Sequence, residues 1–141
     1  MKFCVLALDY DGTIAENGTP HRAVLQAIQE TRARGIVVVL VTGRILSDLK
    51  KVAGDLNIFD AIVAENGAVL AFSNGRTRAL GRPPPSSLFD ELCRHKVEFR
   101  VGDCVLEADA SSAPRILGTV QKLQLPLVLV FNRSRVMLLP Q

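Results

Sequence analysis

Residues 3 to 9, FCVLALD, form a nearly unbroken apolar run that ends in an acid, the pattern of a strand buried on both faces and covered by helices. From Pro20 to Arg34 the positions Ala23, Val24, Ala27, Ile28 and Thr31 recur at helical spacing, with Thr19 as N-cap, Pro20 at the first helical position and Gly35 as terminator. A second β-branched strand follows at 36–42, IVVVLVT, and a helix at 45–53 places Ile45, Leu46, Leu49, Val52 and Ala53 on one face. DAIVAENGAVLAF, residues 60–72, then predicts a short strand, a turn at Asn66-Gly67 and a further strand. Strand, helix, strand, helix, strand with short connections predicts an α/β fold. Right-handed crossovers make its first three strands neighbours in a partial, doubly wound, Rossmann-like parallel sheet.

The pattern changes at GRPPPSS, residues 81–87, where three consecutive prolines can continue neither helix nor central strand. Beyond it, Ser87–Cys93 reads as a helix and 97–108 as extended segments around Gly102-Asp103. Ala113–Leu123 reads as a second helix, and LPLVLVF with RVMLLP as a hairpin turning at Asn132–Ser134. That order describes a small α+β unit. The predicted division is 1–81 for the first unit, 82–139 for the second, and 140–141 as a return towards the first.

Composition narrows the function classes. With 48% hydrophobic and 22% charged residues among 141, the chain can bury a core, so intrinsic disorder is excluded. Its longest apolar runs fall far short of the roughly 18–20 residues of a bilayer span, and the N-terminus lacks the form of a signal peptide, so a cytoplasmic protein without membrane contact is expected. The net charge of +3 is scattered, and one Tyr and no Trp leave little surface for stacking bases, so no nucleic-acid partner is expected. Cys4, Cys93 and Cys104 form no CxxC pair, which suggests buried thiols. His21 and His95 lie at a helix start and a helix end, without an acid or Cys at ligand spacing.

Ligands bind parallel sheets at the carboxyl ends of the strands, and Asp9, Thr42 and Glu65 each fall at such an end. Asp9 and Asp11 put two carboxylates where a strand leaves the sheet. Acids that close repel each other unless a divalent cation sits between them, and hard oxygen donors favour Mg²⁺. Gly12 lets the chain turn sharply and is expected to leave amides free for an anion. Thr42 meets a phosphoryl oxygen, caps the following helix, or does both, since the two readings are compatible. Arg44 pairs either with a substrate phosphate or with an acid such as Glu65, and Asn66 is either a ligand contact or a turn residue.

DYDGT at 9–13 followed by VTGR at 41–44 resembles motifs one and two of the haloacid dehalogenase superfamily, and VAENGA at 63–68 with an inserted α+β unit resembles its Cof-type sugar-phosphatase branch. The resemblance implies phosphate-monoester hydrolysis through an aspartyl-phosphate, with a small phosphorylated compound, a sugar phosphate, as substrate. Asp9 would be the nucleophile and Asp11 the general acid and base, its pKa raised by the neighbouring acid. Mg²⁺ would be held by the Asp9 carboxylate and the Asp11 carbonyl, and Thr42 would hold the phosphoryl group. Gly12, Thr13, Gly43, Arg44 and Asn66 would line the substrate site, and the second unit would be a cap that selects the leaving group.

The family pattern continues into G-x-x-K-G and GD-x-x-[ND]-D segments, which this sequence lacks. The expectation is therefore the N-terminal part of a longer phosphatase, a truncated product, or a subunit completed by another polypeptide, and a poor catalyst when isolated. An open edge beside strand 3–9 would favour self-association or a complementing chain. The alternative function is a non-catalytic module that holds a phosphate ligand or a partner in the same pocket.

Overall fold

β-branched residues pack well on a pleated surface, and the valine-rich runs become strands in the computed structural model, which describes residues 4–16 and 18–141. The chain divides into two units, 1–80 and 81–141, at the proline-rich stretch.

In the first unit, β1 (Val5–Asp9) is followed by a two-residue hairpin, β2 (Ala15–Glu16) with β3 (Thr19–Pro20), and then by α1 (Arg22–Ala33). The Phe3 start expected for β1 lies outside the described residues. Next come β4 (Val37–Val41), α2 (Leu46–Val52), β5 (Ala61–Ala64), β6 (Val69–Phe72) and β7 (Thr77–Ala79). The sheet order is β1-β4-β5-β6-β7. The first three strands are parallel, with Asp9 opposite Val41 and Val41 opposite Val63, and the last two are antiparallel additions.

Thr19 and Pro20 belong to the hairpin, and α1 is capped by the extended backbone of His21. Gly18, at φ +84, allows the turn, and the Tyr10 hydroxyl holds it by donating to the Gly18 carbonyl at 3.0 Å. The first strand, moreover, is not buried on both faces. Because β1→β4→β5 steps in one direction, right-handed crossovers put α1 and α2 on the same side of the sheet. Val38 and Leu40 of β4 are buried there, whereas Val37 (43% exposed), Val41 and, on β1, Val5 (58% exposed) stay open to water. Val52 is likewise exposed, leaving Ile45, Leu46, Leu49 and Ala53 as the buried residues of the α2 segment.

The strands are tied to α1 by Asp60, which accepts from Arg32 Nη2 and from the Val38 amide, each at 2.8 Å. These bonds, the Val38 amide foremost and then Arg32, hold the Asp60 carboxyl below its ordinary pKa.

The second unit contains α3 (Ser86–Arg94), β8 (Phe99–Val101), β9 (Leu106–Asp109), α4 (Ala113–Lys122), β10 (Leu127–Asn132) and β11 (Arg135–Pro140). Its antiparallel sheet has the order β10-β11-β9-β8. Leu88, Leu92, Ile116 and Val120 of the helices pack with Leu106, Ala108, Val136 and Leu138 of the strands. β11 runs through Pro140, and the Gln141 amide donates to the Pro126 carbonyl. Among the described residues, no helix is long and apolar enough to cross a membrane.

Candidate active site

Parallel pairing in register aligns the carboxyl ends of β1, β4 and β5, so Asp9, Thr42 and Glu65 stand on one edge of the first unit. Asp9 is exposed, and its Oδ1 accepts from the Tyr10 amide at 2.8 Å. The chain then coils tightly. The Tyr10 carbonyl receives the amides of Ile14 at 3.0 Å and Ala15 at 2.9 Å, and a longer approach from Thr13 at 3.4 Å. Gly12 sits at φ +79, where the turn requires it. Its amide donates to the Ala15 carbonyl at 2.9 Å, so the expectation of a free amide there is not met.

Thr42 is buried, and its Oγ1 accepts from the Arg44 amide at 3.2 Å. It closes a local turn and does not cap α2, which begins two residues beyond Arg44. Gly43 lies so close to Asn66 that a Cβ there would stand 2.9 Å from Asn66 Oδ1. Glu65 and Asn66 both adopt left-handed backbone, at φ 55 and φ 54. Their amides donate to the Arg44 carbonyl at 3.0 Å and the Thr42 carbonyl at 3.4 Å, so the segment after β5 clamps the loop after β4. Glu65 is buried, with Oε1 3.4 Å from the Leu46 amide at the start of α2.

Of the partners weighed for Arg44, an acid and a phosphate, the structure shows an acid, Asp11. Its Nε and Nη2 donate to Asp11 Oδ2 and Oδ1 at 2.8 and 2.7 Å, a fork that engages both carboxylate oxygens. The guanidinium also lies 5.3 Å from the centre of the Tyr10 ring. Tyr10 is fully buried; desolvation raises its phenol pKa, an effect Arg44 opposes and Asp11 reinforces. No periodicity or motif in the sequence indicates the Arg44–Asp11 pair. The Asn17-Gly18 dipeptide could have indicated the hairpin next to it. His21 lies apart from these contacts, its Nε2 3.2 Å from Glu16 on the surface.

The donors that could hold a metal here are the Asp9 carboxylate and the Asp11 backbone carbonyl. Both are hard oxygens of the kind Mg²⁺ takes, and Mg²⁺ commonly keeps several waters beside one or two carboxylates. Among the described residues no three His, Cys, Asp or Glu gather into a fuller site. The donor set fits Mg²⁺ in chemistry.

The model of haloacid dehalogenase-like hydrolases matches residues 6–111, well over half of the chain. The stress response protein YhaX of Bacillus subtilis (strain 168) is 35% identical over 68 residues, 48% of this chain and 24% of that protein. The chain therefore matches about a quarter of that relative's length. Among solved structures, a haloacid dehalogenase-like hydrolase from Bacteroides thetaiotaomicron superposes with a TM-score of 0.76 at 14% identity, over 99% of this chain and 72% of that one. The subclass IIB sugar phosphatase BT4131 does so with a TM-score of 0.66 at 13% identity, over 97% and 70%. At such identities these likenesses speak for the fold.

Proposed function

The chain belongs to the haloacid dehalogenase-like hydrolase family, and from that premise we propose that it serves the hydrolysis of phosphate monoesters, with sugar phosphates as the substrate class. The observation that carries the reading is the register of β1 against β4, which sets an exposed carboxylate, Asp9, beside the Thr42 turn at one sheet edge. Asp9 Oδ attacks phosphorus, the bond to the leaving oxygen breaks, and an aspartyl-phosphate forms on Asp9. Asp11 gives the departing alcohol its proton. It then takes a proton from the water that cleaves the acyl phosphate and restores Asp9. Thr42 and the Gly43 amide hold phosphoryl oxygens, with Gly12, Thr13 and Asn66 around them. Bound Mg²⁺, held by the Asp9 carboxylate and the Asp11 carbonyl, would supply charge neutralisation between nucleophile and phosphate.

The test is Mg²⁺-dependent hydrolysis of p-nitrophenyl phosphate by the chain and by Asp9→Asn. Turnover lost in the variant is the expected result, at whatever low rate the chain attains. Turnover that survives Asp9→Asn sinks the nucleophile assignment, and ester binding without turnover in either protein favours a binding module.

A further inference from the structure

Asp11 and Arg44 leave the ends of adjacent strands, and their side chains meet through two short bonds, at 2.8 and 2.7 Å. Under the reading above Asp11 must face the leaving-group oxygen, yet both of its oxygens are turned to a cation. The main chain of Arg44 is pinned on either side: its amide donates to Thr42 Oγ1 at 3.2 Å, and its carbonyl accepts from the Glu65 amide at 3.0 Å. Its side chain is the part able to move, and the pair is open to water, at 31% and 42% side-chain exposure for Arg44 and Asp11. A phosphate dianion offers a guanidinium the same two-pronged geometry as a carboxylate, with more charge.

Resting on the phosphatase reading, we propose that the Asp11–Arg44 pair is a resting-state latch which the incoming phosphoryl group opens by partner exchange. Arg44 turns from Asp11 to the phosphoryl oxygens, and Asp11 is released towards the leaving group only once an ester is in place. Only hydrogen bonds and an ion pair are exchanged. Phosphate and Asp11 thus compete for one guanidinium, which couples binding to the freeing of the Asp11 carboxylate; that carboxylate then takes a proton from solvent before it serves as general acid. The latch also settles the two roles open to Arg44 from sequence by giving it both, in succession.

The competition is read with orthophosphate by calorimetry on the wild type, Arg44→Gln, Asp11→Asn and the double variant. Loss of a freely available bidentate contact should weaken binding about tenfold. That is the expected effect of Arg44→Gln in the Asp11→Asn background. With Asp11 present the same change should cost about threefold or less, because the wild type must first break the pair. A nuclear magnetic resonance titration of the arginine Nε–H signals needs no variant. The Arg44 signal should shift on addition of orthophosphate.

Equal losses in both backgrounds, or an Arg44 signal that does not move, overturn the latch. Binding that is abolished by Thr42→Ala but indifferent to Arg44 overturns it and leaves the phosphatase reading standing. Failure of orthophosphate to bind any of these proteins overturns both.

Discussion

Replacing Asp60 by Asn tests whether the alignment of strands beneath the site rests on the contact described above. Asp60 Oδ1 accepts from Arg32 Nη2 at 2.8 Å, both oxygens lie 3.2 Å from Arg32 Nε, and Oδ2 accepts from the Val38 amide at 2.8 Å. An amide keeps one acceptor oxygen and turns its NH₂ towards either Arg32 or Val38, so a donor faces a donor. Hydrogen bonds to charged groups contribute about 1.5–3 kcal/mol. Screening at side chains that are 31% and 33% exposed lowers the expected loss to about 1–2 kcal/mol. For a unit of this size each kcal/mol moves the melting temperature by about 4–8 °C. A circular-dichroism melt at pH 7 should therefore fall by roughly 5–15 °C. The pH dependence has a definite sign. The folded-state pKa lies below the ordinary carboxyl value, so the contribution is complete above about pH 4–5 and is lost as pH falls through the folded pKa. The gap between wild type and variant should hold from pH 7 to 5 and narrow below 4. A variant that melts with the wild type at pH 7, or a gap that widens with acid, would refute the argument.

Gly43→Ala should destabilise the first unit by about 1–3 kcal/mol, because its Cβ would stand 2.9 Å from Asn66 Oδ1. Asn66→Gly, which removes that side chain and suits the left-handed backbone, should restore most of the loss in a denaturant melt. If the double variant is no more stable than Gly43→Ala, the clash is not the cause. Tyr10→Phe removes the bond to the Gly18 carbonyl and should cost about 1 kcal/mol, with faster amide exchange confined to the 14–20 hairpin; unchanged exchange there would show that Tyr10 does not hold it. β1 is an edge strand with Val5 58% exposed, so the chain should self-associate in sedimentation velocity and Val5→Lys should shift it towards monomer. A monomeric wild type at tens of micromolar, or association untouched by the lysine, sinks that expectation.

What was legible in the sequence follows from short-range physics. Valine-rich runs separated by amphipathic helices specify parallel strands, and parallel strands specify which residues stand at the carboxyl edge. Asp9, Thr42 and Glu65 could therefore be placed together across some 56 residues without any contact being known. The pattern of apolar residues could not say which sheet face is covered. Val5, Val37 and Val41 are as apolar as Val38 and Leu40, and only the direction in which the strands step decides that helices cover the latter. β7 escaped because Thr77–Ala79 is polar and exposed at an edge, although Asn74-Gly75 marks its turn. Asp11 and Arg44 lie 33 residues apart, and a charge pair that distant leaves no periodic trace.

Glu65 shows why a site residue can be found by position while its role stays hidden. An acid at a strand end reads as a ligand, yet this one is buried and directed at the start of α2. Together with Asn66 it occupies left-handed backbone that costs L residues about 1–2 kcal/mol each. The amides of this strained pair are the ones that reach Arg44 and Thr42. If the strain served only the turn, glycine at either position would do better. What a glycine would lose is the Glu65 carboxylate beside α2 and the Asn66 side chain packed on Gly43. The strain is therefore the cost of placing those two side chains, while the amides of the same residues pin the Thr42–Arg44 main chain and so confine any movement of Arg44 to its side chain.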